Sequence, residues 1–158
     1  MRFQLSSNGV LQLGHEALRL FAESRQVADS DTEAGGLLIG RLISGTADVV
    51  VDRATGPVPS DRRSRFYFVR ARRPAQEAVD AAWASSAGTQ NYIGDWHTHP
   101  EDDPSPSCID RRDWRQIVRR SEFEQPRLVF IIVGRNRIKA WELGPNDDAP
   151  VELSAITQ

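Results

Sequence analysis

Residues 91–110 read NYIGDWHTHPEDDPSPSCID, and this stretch predicts a strand, a loop and the start of a helix in succession. Its first part, as far as His99, is rich in residues that favour strands and stops before a proline, which predicts a strand. After a proline- and acid-rich loop, we expect a helix from about Ser107 to Ser121. His97 and His99 stand two residues apart, so both imidazoles project from one face of the strand and reach one point.

These residues form a donor set typical of a zinc site. Asp110 lies in the first turn of the predicted helix, and the loop can bring that turn back over the strand end. Two imidazoles and one carboxylate leave the fourth position of a tetrahedral zinc to water. Two alternatives stay open at this point. A His-x-His pair can serve packing alone, and Ser107-x-x-Asp110 is also a capping box.

Outside this stretch, the hydrophobic patterns predict one α/β domain with a mixed sheet and about three helices. The run Leu128–Val133 is apolar on both faces, which is typical of a central strand covered by helices. We expect the domain to occupy residues 1–145, and 146–158 to be a C-terminal tail or short edge element. The remaining predicted elements are a helix over Val10–Ala28, strands over 36–43, 48–52, 65–69 and 137–143, and a helix from Pro74 with the apolar stripe Ala75, Ala78, Val79, Ala82 and Trp83.

Composition excludes several classes of protein. Of the 158 residues, 39% are hydrophobic and 27% are charged, and the longest apolar run is too short to cross a bilayer. One cysteine, Cys108, excludes an internal disulfide framework and a multi-cysteine metal site. The N-terminus turns polar too soon for a signal-peptide core, so we expect a cytoplasmic protein. With a net charge of -2 and no binding motif, we expect neither a nucleic-acid nor a membrane partner.

Arginine supplies almost all of the positive charge, because Lys139 is the only lysine. The arginines cluster at 62–73 and again at 111–120. These arginines either lie on solvated faces or form a binding surface for a partner rich in carboxylates and carbonyls. The segment Ser60–Arg70 is predicted either as the wall of a groove along which an extended partner chain lies, with Arg63 and Arg65 among its donors, or as a plain edge strand with solvated charges.

Other active sites fit less well. His15-Glu16 begins like a zincin helix, but Arg19 stands where the second histidine is required. Cys108 could act as a nucleophile, although the neighbouring histidines are better explained as ligands. Trp96 and Trp114 are expected to pack in the core or around the site.

The complete pattern resembles a known family. His97-x-His99-Pro, six residues, then Ser107-x-x-Asp110, preceded by Glu33 in the stretch EAGGLLIG, is similar to the JAMM signature of the JAB/MPN metalloprotease family. The resemblance covers most of the chain. It implies an MPN/JAB-like domain of cytidine-deaminase-like architecture.

By position, the resemblance also implies roles for five residues. It makes His97, His99 and Asp110 the ligands of one Zn²⁺ per chain. It makes Glu33 the general acid/base and Ser107 the residue that helps to stabilise the oxyanion.

The resemblance implies a protein substrate as well. Family members cut after the C-terminal tail of ubiquitin or ubiquitin-like proteins. The compact form of this chain looks most like bacterial stand-alone JAB peptidases encoded beside E1- and E2-like proteins, as in CBASS antiphage operons. The expected substrate is therefore a ubiquitin-like or E1/E2-conjugated protein. Two alternatives stay open: a zinc peptidase that processes a protein precursor or sulfur carrier, and a catalytically silent MPN scaffold.

Overall fold

A mixed sheet of eight strands with three helices packed on it forms the fold, in a computed structural model that describes residues 1–157. The α/β class predicted from the sequence is confirmed. The helices are α1 (His15–Glu23), α2 (Arg72–Ser85) and α3 (Cys108–Arg120). The strands are β1 (Arg2–Gln4), β2 (Val10–Leu13), β3 (Gly35–Leu42), β4 (Val49–Ala54), β5 (Arg62–Ser64), β6 (Tyr67–Val69), β7 (Asn91–Thr98), β8 (Leu128–Val133), β9 (Ile138–Leu143) and β10 (Val151–Glu152).

The large sheet has the strand order β1-β2-β4-β3-β7-β8-β9-β10. β7 runs parallel to β8, β2 runs parallel to β4, and the other neighbours are antiparallel. All residues of β8 are buried, which confirms the predicted central strand covered on both faces. The strands predicted over 36–43 and 48–52 are present as β3 and β4, which form an antiparallel pair. Since β7 lies between β3 and β8, its carboxyl end is held from both sides.

Aromatic side chains anchor the helices on the two faces of the sheet. On one face, Phe21 of α1 meets Trp96 of β7 with ring centroids 4.8 Å apart. On the other face, Trp114 of α3 stacks on Phe130 at 4.6 Å and contacts Trp141. Trp96 and Trp114 are therefore packing residues, as the sequence indicated, and they fix the strand and the helix that carry the predicted ligands.

The helix predicted over Val10–Ala28 is wrong in its bounds, because its first residues form β2 and α1 ends at Glu23. Leu11 and Leu13 are buried and alternate with an exposed residue, which is the period of a strand. They pair in parallel with β4. This partner lies in a distant part of the sequence, so local periodicity could not reveal it.

α2 begins two residues before Pro74, so the proline lies in the first helical turn, where its missing N–H has no partner to lose. The predicted stripe packs on β3 next to Leu37 and Ile39, through Ala75, Ala78, Val79 and Ala82. The sequence pattern also places Trp83 in this stripe, and this prediction is wrong, since the residue is 48% exposed. It stands about 100° around the helix from Ala82 and faces away from the sheet.

β5 and β6 form a separate two-stranded sheet, the β5–β6 hairpin. The single strand expected over Arg65–Val69 is therefore only partly present, because Arg65 and Phe66 form the turn between the two strands. Phe66, Tyr67 and Val69 are 71%, 41% and 48% exposed. The hairpin thus presents an apolar surface to solvent close to the start of β3.

The register between β3 and β7 positions the site. Gly35 lies opposite His97, so Glu33, which precedes β3, lies beside the carboxyl end of β7. β7 and β8 approach closely at Gly94, where a Cβ atom would collide with the carbonyl oxygen of Val129. A glycine is therefore required three residues before His97.

The segment 146–158, expected from the sequence to be a C-terminal tail or a short edge element, adds β10 to the edge of the large sheet. Leu153 is buried, and Ala155 bridges to Phe3 of β1. Gln158 lies outside the described residues. Over residues 1–157, none of the helices has both the length and the apolar character that crossing a membrane requires.

Candidate metal centre

Two histidines converge at the carboxyl end of β7. His97 belongs to the strand, and His99 follows it with its N–H donated to the carbonyl of Val133 at 3.0 Å, which continues the extended backbone. Their side chains lie on the same face, as the spacing predicts. The two Nε2 atoms are 3.0 Å apart. His99 is buried and His97 partly so.

Asp110 brings a carboxylate to the same point from the first turn of α3. Its Oδ1 lies 3.2 Å from Nε2 of His97, and its Oδ2 lies 3.3 Å from Nε2 of His99. A capping box holds this turn, since Ser107 Oγ accepts from the Asp110 N–H at 3.1 Å and the Asp110 carboxylate accepts from the Ser107 N–H at 2.6 Å. The capping role and the convergence on the histidines are therefore both present.

The spacing of the three donor atoms fits a tetrahedral zinc ion. Ligands at 2.0–2.1 Å in tetrahedral geometry lie about 3.3 Å from one another, and the separations here are 3.0, 3.2 and 3.3 Å. Two imidazole nitrogens at such a distance repel unless a proton or a cation lies between them. Among residues 1–157, the group His97, His99 and Asp110 is the one that could hold a metal ion.

The charge of the site favours a cation. Burial opposes ionisation of Asp110, but hydrogen bonds from His97 and His99 outweigh it and hold the pKa of the carboxyl far below its ordinary value. Burial alone would lower the pKa of His99, yet the Asp110 and Glu33 carboxyls raise it overall. Asp110 is thus an ionised oxygen donor across the physiological range.

Glu33 is a buried carboxyl at the rim of this group. It is 4% exposed, and its Oε1 lies 4.0 Å from Nε2 of His99. Burial raises its pKa from 4.5 to about 8. Its backbone is clamped by the β5–β6 hairpin, because its N–H donates to the carbonyl of Ser64 at 2.7 Å and its carbonyl accepts from Nε of Arg63 at 2.5 Å.

A buried polar network behind Glu33 was missed in the sequence. Thr98 Oγ1 accepts from the N–H of Ala34 at 3.0 Å and donates to Oε1 of Gln26 at 2.8 Å. Nε2 of Gln26 donates to the carbonyl of Arg65 at 2.9 Å. Gln26 is 1% exposed and Thr98 0%. The sequence contained one sign of this network. Thr98 stands between the two histidines, and a strand places the side chain of such a residue on the opposite, buried face.

Ser107 is exposed, and its hydroxyl donates to Oδ2 of Asp110 at 2.6 Å. It lies beside the converged group, as the resemblance implies. In this arrangement, the hydroxyl proton is directed to the aspartate.

Arg63 and Arg65, which the sequence predicts either as donors to a partner or as solvated charges, both bind the chain itself. Arg63 binds the carbonyl of Glu33, and Arg65 donates to the carbonyl of Ala28 at 3.1 Å and to the carboxylate of Asp29 at 3.0 Å. Both guanidinium groups therefore hold the loop that leads to Glu33. Cys108, the alternative nucleophile, is exposed at the first position of α3 and lies outside the converged group.

Comparisons with known proteins identify a family model and several relatives that are similar to this chain. The family model described as prokaryotic homologs of the JAB domain matches residues 16–144. A protein named CD-NTase/cGAS isopeptidase from Pseudomonas aeruginosa (strain BWHPSA011 / Pa011) is 39% identical over 129 residues, which cover 82% of this chain and 80% of that protein. One of the same name from Vibrio cholerae is 39% identical over 126 residues, 80% of this chain and 76% of the relative.

A more distant relative and a solved structure extend the comparison. A probable metalloprotease, y4qB, from Sinorhizobium fredii is 35% identical over 104 residues, 65% of this chain and 63% of that protein. The solution structure of protein DSY2949 from Desulfitobacterium hafniense shares the fold, with a TM-score of 0.60 at 22% identity over 90% of this chain and 88% of the other. The match over residues 16–144 and the identity to its relatives confirm the resemblance, and this chain belongs to the prokaryotic JAB-domain family of metallopeptidases.

Proposed function

We propose that this chain is a zinc isopeptidase that releases a CD-NTase or ubiquitin-like protein from the amine to which E1- and E2-like proteins have joined its C-terminus. The observation that carries the proposal is the convergence of His97, His99 and Asp110 beside the buried carboxyl of Glu33. The names of the relatives support the substrate class. The resemblance to stand-alone JAB peptidases of antiphage operons supports a place in defence.

We further propose zinc as the metal, with one ion per chain held by His97, His99 and Asp110. Two nitrogen donors, one oxygen donor and their separations suit zinc in an open, three-ligand site. Such an ion polarises a scissile carbonyl and lowers the pKa of a coordinated water toward 7.

Glu33 is the proposed proton carrier. Its pKa of about 8 lies near neutral pH, the range in which one group both accepts and donates protons efficiently. Its carboxylate takes a proton from the attacking water and delivers it to the departing amine. The clamp by Arg63 and Ser64 fixes the backbone that carries it.

Ser107 is the proposed donor to the oxygen of the tetrahedral intermediate. Its position at the start of α3 puts the hydroxyl beside Asp110. To serve, the hydroxyl turns its proton from the Asp110 carboxylate to the substrate. Loss of a donor of this kind costs on the order of 10²–10³ in rate.

The β5–β6 hairpin is the proposed wall of the substrate groove. It is a sheet of only two strands, in which Ser64 of β5 is bound by the Glu33 N–H, and an extended tail can add to the outer edge of β6 by main-chain hydrogen bonds. Phe66, Tyr67 and Val69 offer apolar contacts. Because the hairpin also clamps Glu33, a tail bound along it lies next to the proton carrier.

The proposed compartment is the cytoplasm. A single exposed thiol, Cys108, suits a reducing environment in which disulfides are rare.

The test uses two substrates that share the C-terminal tail of a CD-NTase. In one, the tail is joined to a lysine side chain of a reporter protein, and in the other to the backbone amine of the same reporter. The Zn²⁺-loaded wild type is compared with Glu33→Gln and with Glu124→Gln, a matched change at an exposed glutamate. We expect cleavage of the lysine-linked substrate, a loss of at least about 10²-fold in Glu33→Gln with zinc content unchanged, and no loss in Glu124→Gln.

Three other results would each contradict part of the proposal. Cleavage of the backbone-linked substrate alone favours the processing of a precursor. Binding of the tail without cleavage by the zinc-loaded wild type favours a scaffold. Near-normal turnover by Glu33→Gln removes Glu33 from the mechanism.

A further inference from the structure

One buried atom of the candidate metal centre has no hydrogen-bond partner within residues 1–157. This atom is Nδ1 of His99. The other ring nitrogen, Nε2, faces His97 and Asp110, so a metal bound at the site occupies Nε2. The neutral ring then carries its proton on Nδ1. A buried N–H requires an acceptor, because leaving it unpaired costs the full desolvation penalty of the group.

The nearest carboxylate to this atom belongs to Glu101. Its Oε1 lies 3.8 Å from Nδ1 of His99, which is too long for a hydrogen bond and too short for an intervening water. A movement of about 1 Å would bring it to 2.7–2.9 Å, the usual distance for a bond to an ionised acceptor. The side chain is 48% exposed, so it has room to make that movement.

The loop around Glu101 is already fixed. The Glu101 carbonyl accepts from the N–H of Arg135 at 2.6 Å, and its Oε2 accepts from the N–H of Ser105 at 3.1 Å. The next two acids point elsewhere: Asp102 pairs with Arg135 and Asp103 with Lys139. The backbone therefore directs Glu101, and neither of its neighbours, towards His99.

We propose that Glu101 accepts the Nδ1–H of His99 and is a positioning residue of the metal centre, which rests on the proposed zinc site. The bond sets the tautomer, aims Nε2 at the metal and makes the ring a stronger ligand. Partners of this kind typically contribute 10–100-fold to metal affinity.

The test measures Zn²⁺ affinity by competition with a chelator, in wild type and in Glu101→Ala, Glu101→Gln and Asp103→Asn. Asp103→Asn is the matched control, because it removes one acidic charge from the same loop without approaching His99. We expect about 10–100-fold weaker binding in Glu101→Ala, a smaller loss in Glu101→Gln, and a change below about twofold in Asp103→Asn. Unfolding curves of the metal-free variants check that each one folds.

A second measurement reports the bond itself. The chain has three histidines, so the ring protons of the Zn²⁺-loaded protein can be assigned by nitrogen-15-edited NMR. We expect a slowly exchanging, downfield proton on Nδ1 of His99 that moves upfield in Glu101→Gln. If Glu101→Ala binds Zn²⁺ as tightly as Asp103→Asn does, or if the proton resonance is unchanged, Glu101 has no such role. If wild type itself takes up no Zn²⁺, the proposed metal centre is wrong instead.

Discussion

The burial of Glu33 makes the stability of the metal-free protein depend on pH. In the folded chain the pKa of this carboxyl is about 8, against an ordinary value of 4.5. Between these pH values the folded state keeps a proton that the unfolded state has lost. The contribution of Glu33 to stability is therefore complete below about pH 4.5 and is lost as the pH rises through 8.

The size of the effect follows from the same two values. At 1.36 kcal/mol for each pH unit, the free energy of unfolding falls by at most about 5 kcal/mol across this window. Glu33→Gln keeps the shape of the side chain and removes its ionisation. We expect the variant to match wild type within about 1 kcal/mol near pH 5 and to exceed it by roughly 2–5 kcal/mol near pH 8.5.

The comparison removes the titration of Glu33 and leaves the other ionisable groups of the site in place. Asp110 has a lowered pKa, so its stabilising effect is lost only as the pH falls below 3.8, outside this range. His99 has a raised pKa and also destabilises the fold as the pH rises. Both proteins carry it, and Asp110, which raises this pKa more than Glu33 does, is present in both.

The assay is urea unfolding in the presence of a chelator, followed by fluorescence, since Trp96 and Trp114 are buried reporters. Glu124→Gln at an exposed position should run parallel to wild type. A difference between Glu33→Gln and wild type that stays constant from about pH 5 to about pH 8.5 would refute the raised pKa and weaken the case for Glu33 as proton carrier.

Three further predictions concern the same site. Asp110→Asn should reduce the zinc content of the purified protein to well below one ion per chain by elemental analysis, while a capping role alone would leave the content unchanged. Thr98→Val should cost about 1–3 kcal/mol in urea unfolding, because it leaves Gln26 and the Ala34 N–H unpaired, and Thr98→Ser should recover most of it. Arg63→Ala should lower kcat in steady-state assays rather than only raise KM, since the guanidinium holds the backbone of Glu33. An unchanged kcat would show that the bond from Arg63 to Glu33 does not contribute to catalysis, and would leave Arg63 with a role in substrate binding alone.

Local features of the sequence predicted much of the fold and the grouping of the site. The apolar run of β8, the capping box at Ser107 and the spacing of His97 and His99 each depend on a few neighbouring residues. The family signature then placed Glu33 beside them, and the structure brings it to 4.0 Å from His99.

The features that the sequence did not predict depend on distant partners. β2 is a strand because β4 pairs with it, although its residues also fit a helical period. The bonds from Gln26 to Thr98 and from Arg63 to Glu33 join segments that are separate in the sequence. An arginine donates as readily to a carbonyl of its own chain as to a substrate, so composition alone could not decide between the two.

The environments of the two carboxyls separate their chemical roles. Burial opposes ionisation of Asp110, but both imidazoles, 3.2–3.3 Å away, and then the Ser107 hydroxyl stabilise its negative charge, so its pKa falls. Glu33 is more deeply buried and lies 4.0 Å from His99, so the cost of desolvation prevails and its pKa rises. When surroundings move the pKa values of two nearby carboxyls apart, one stays charged and the other can carry a proton near neutral pH. Hydrogen bonding and burial therefore support the proposed roles of Asp110 as ligand and of Glu33 as proton carrier, on grounds independent of the family signature.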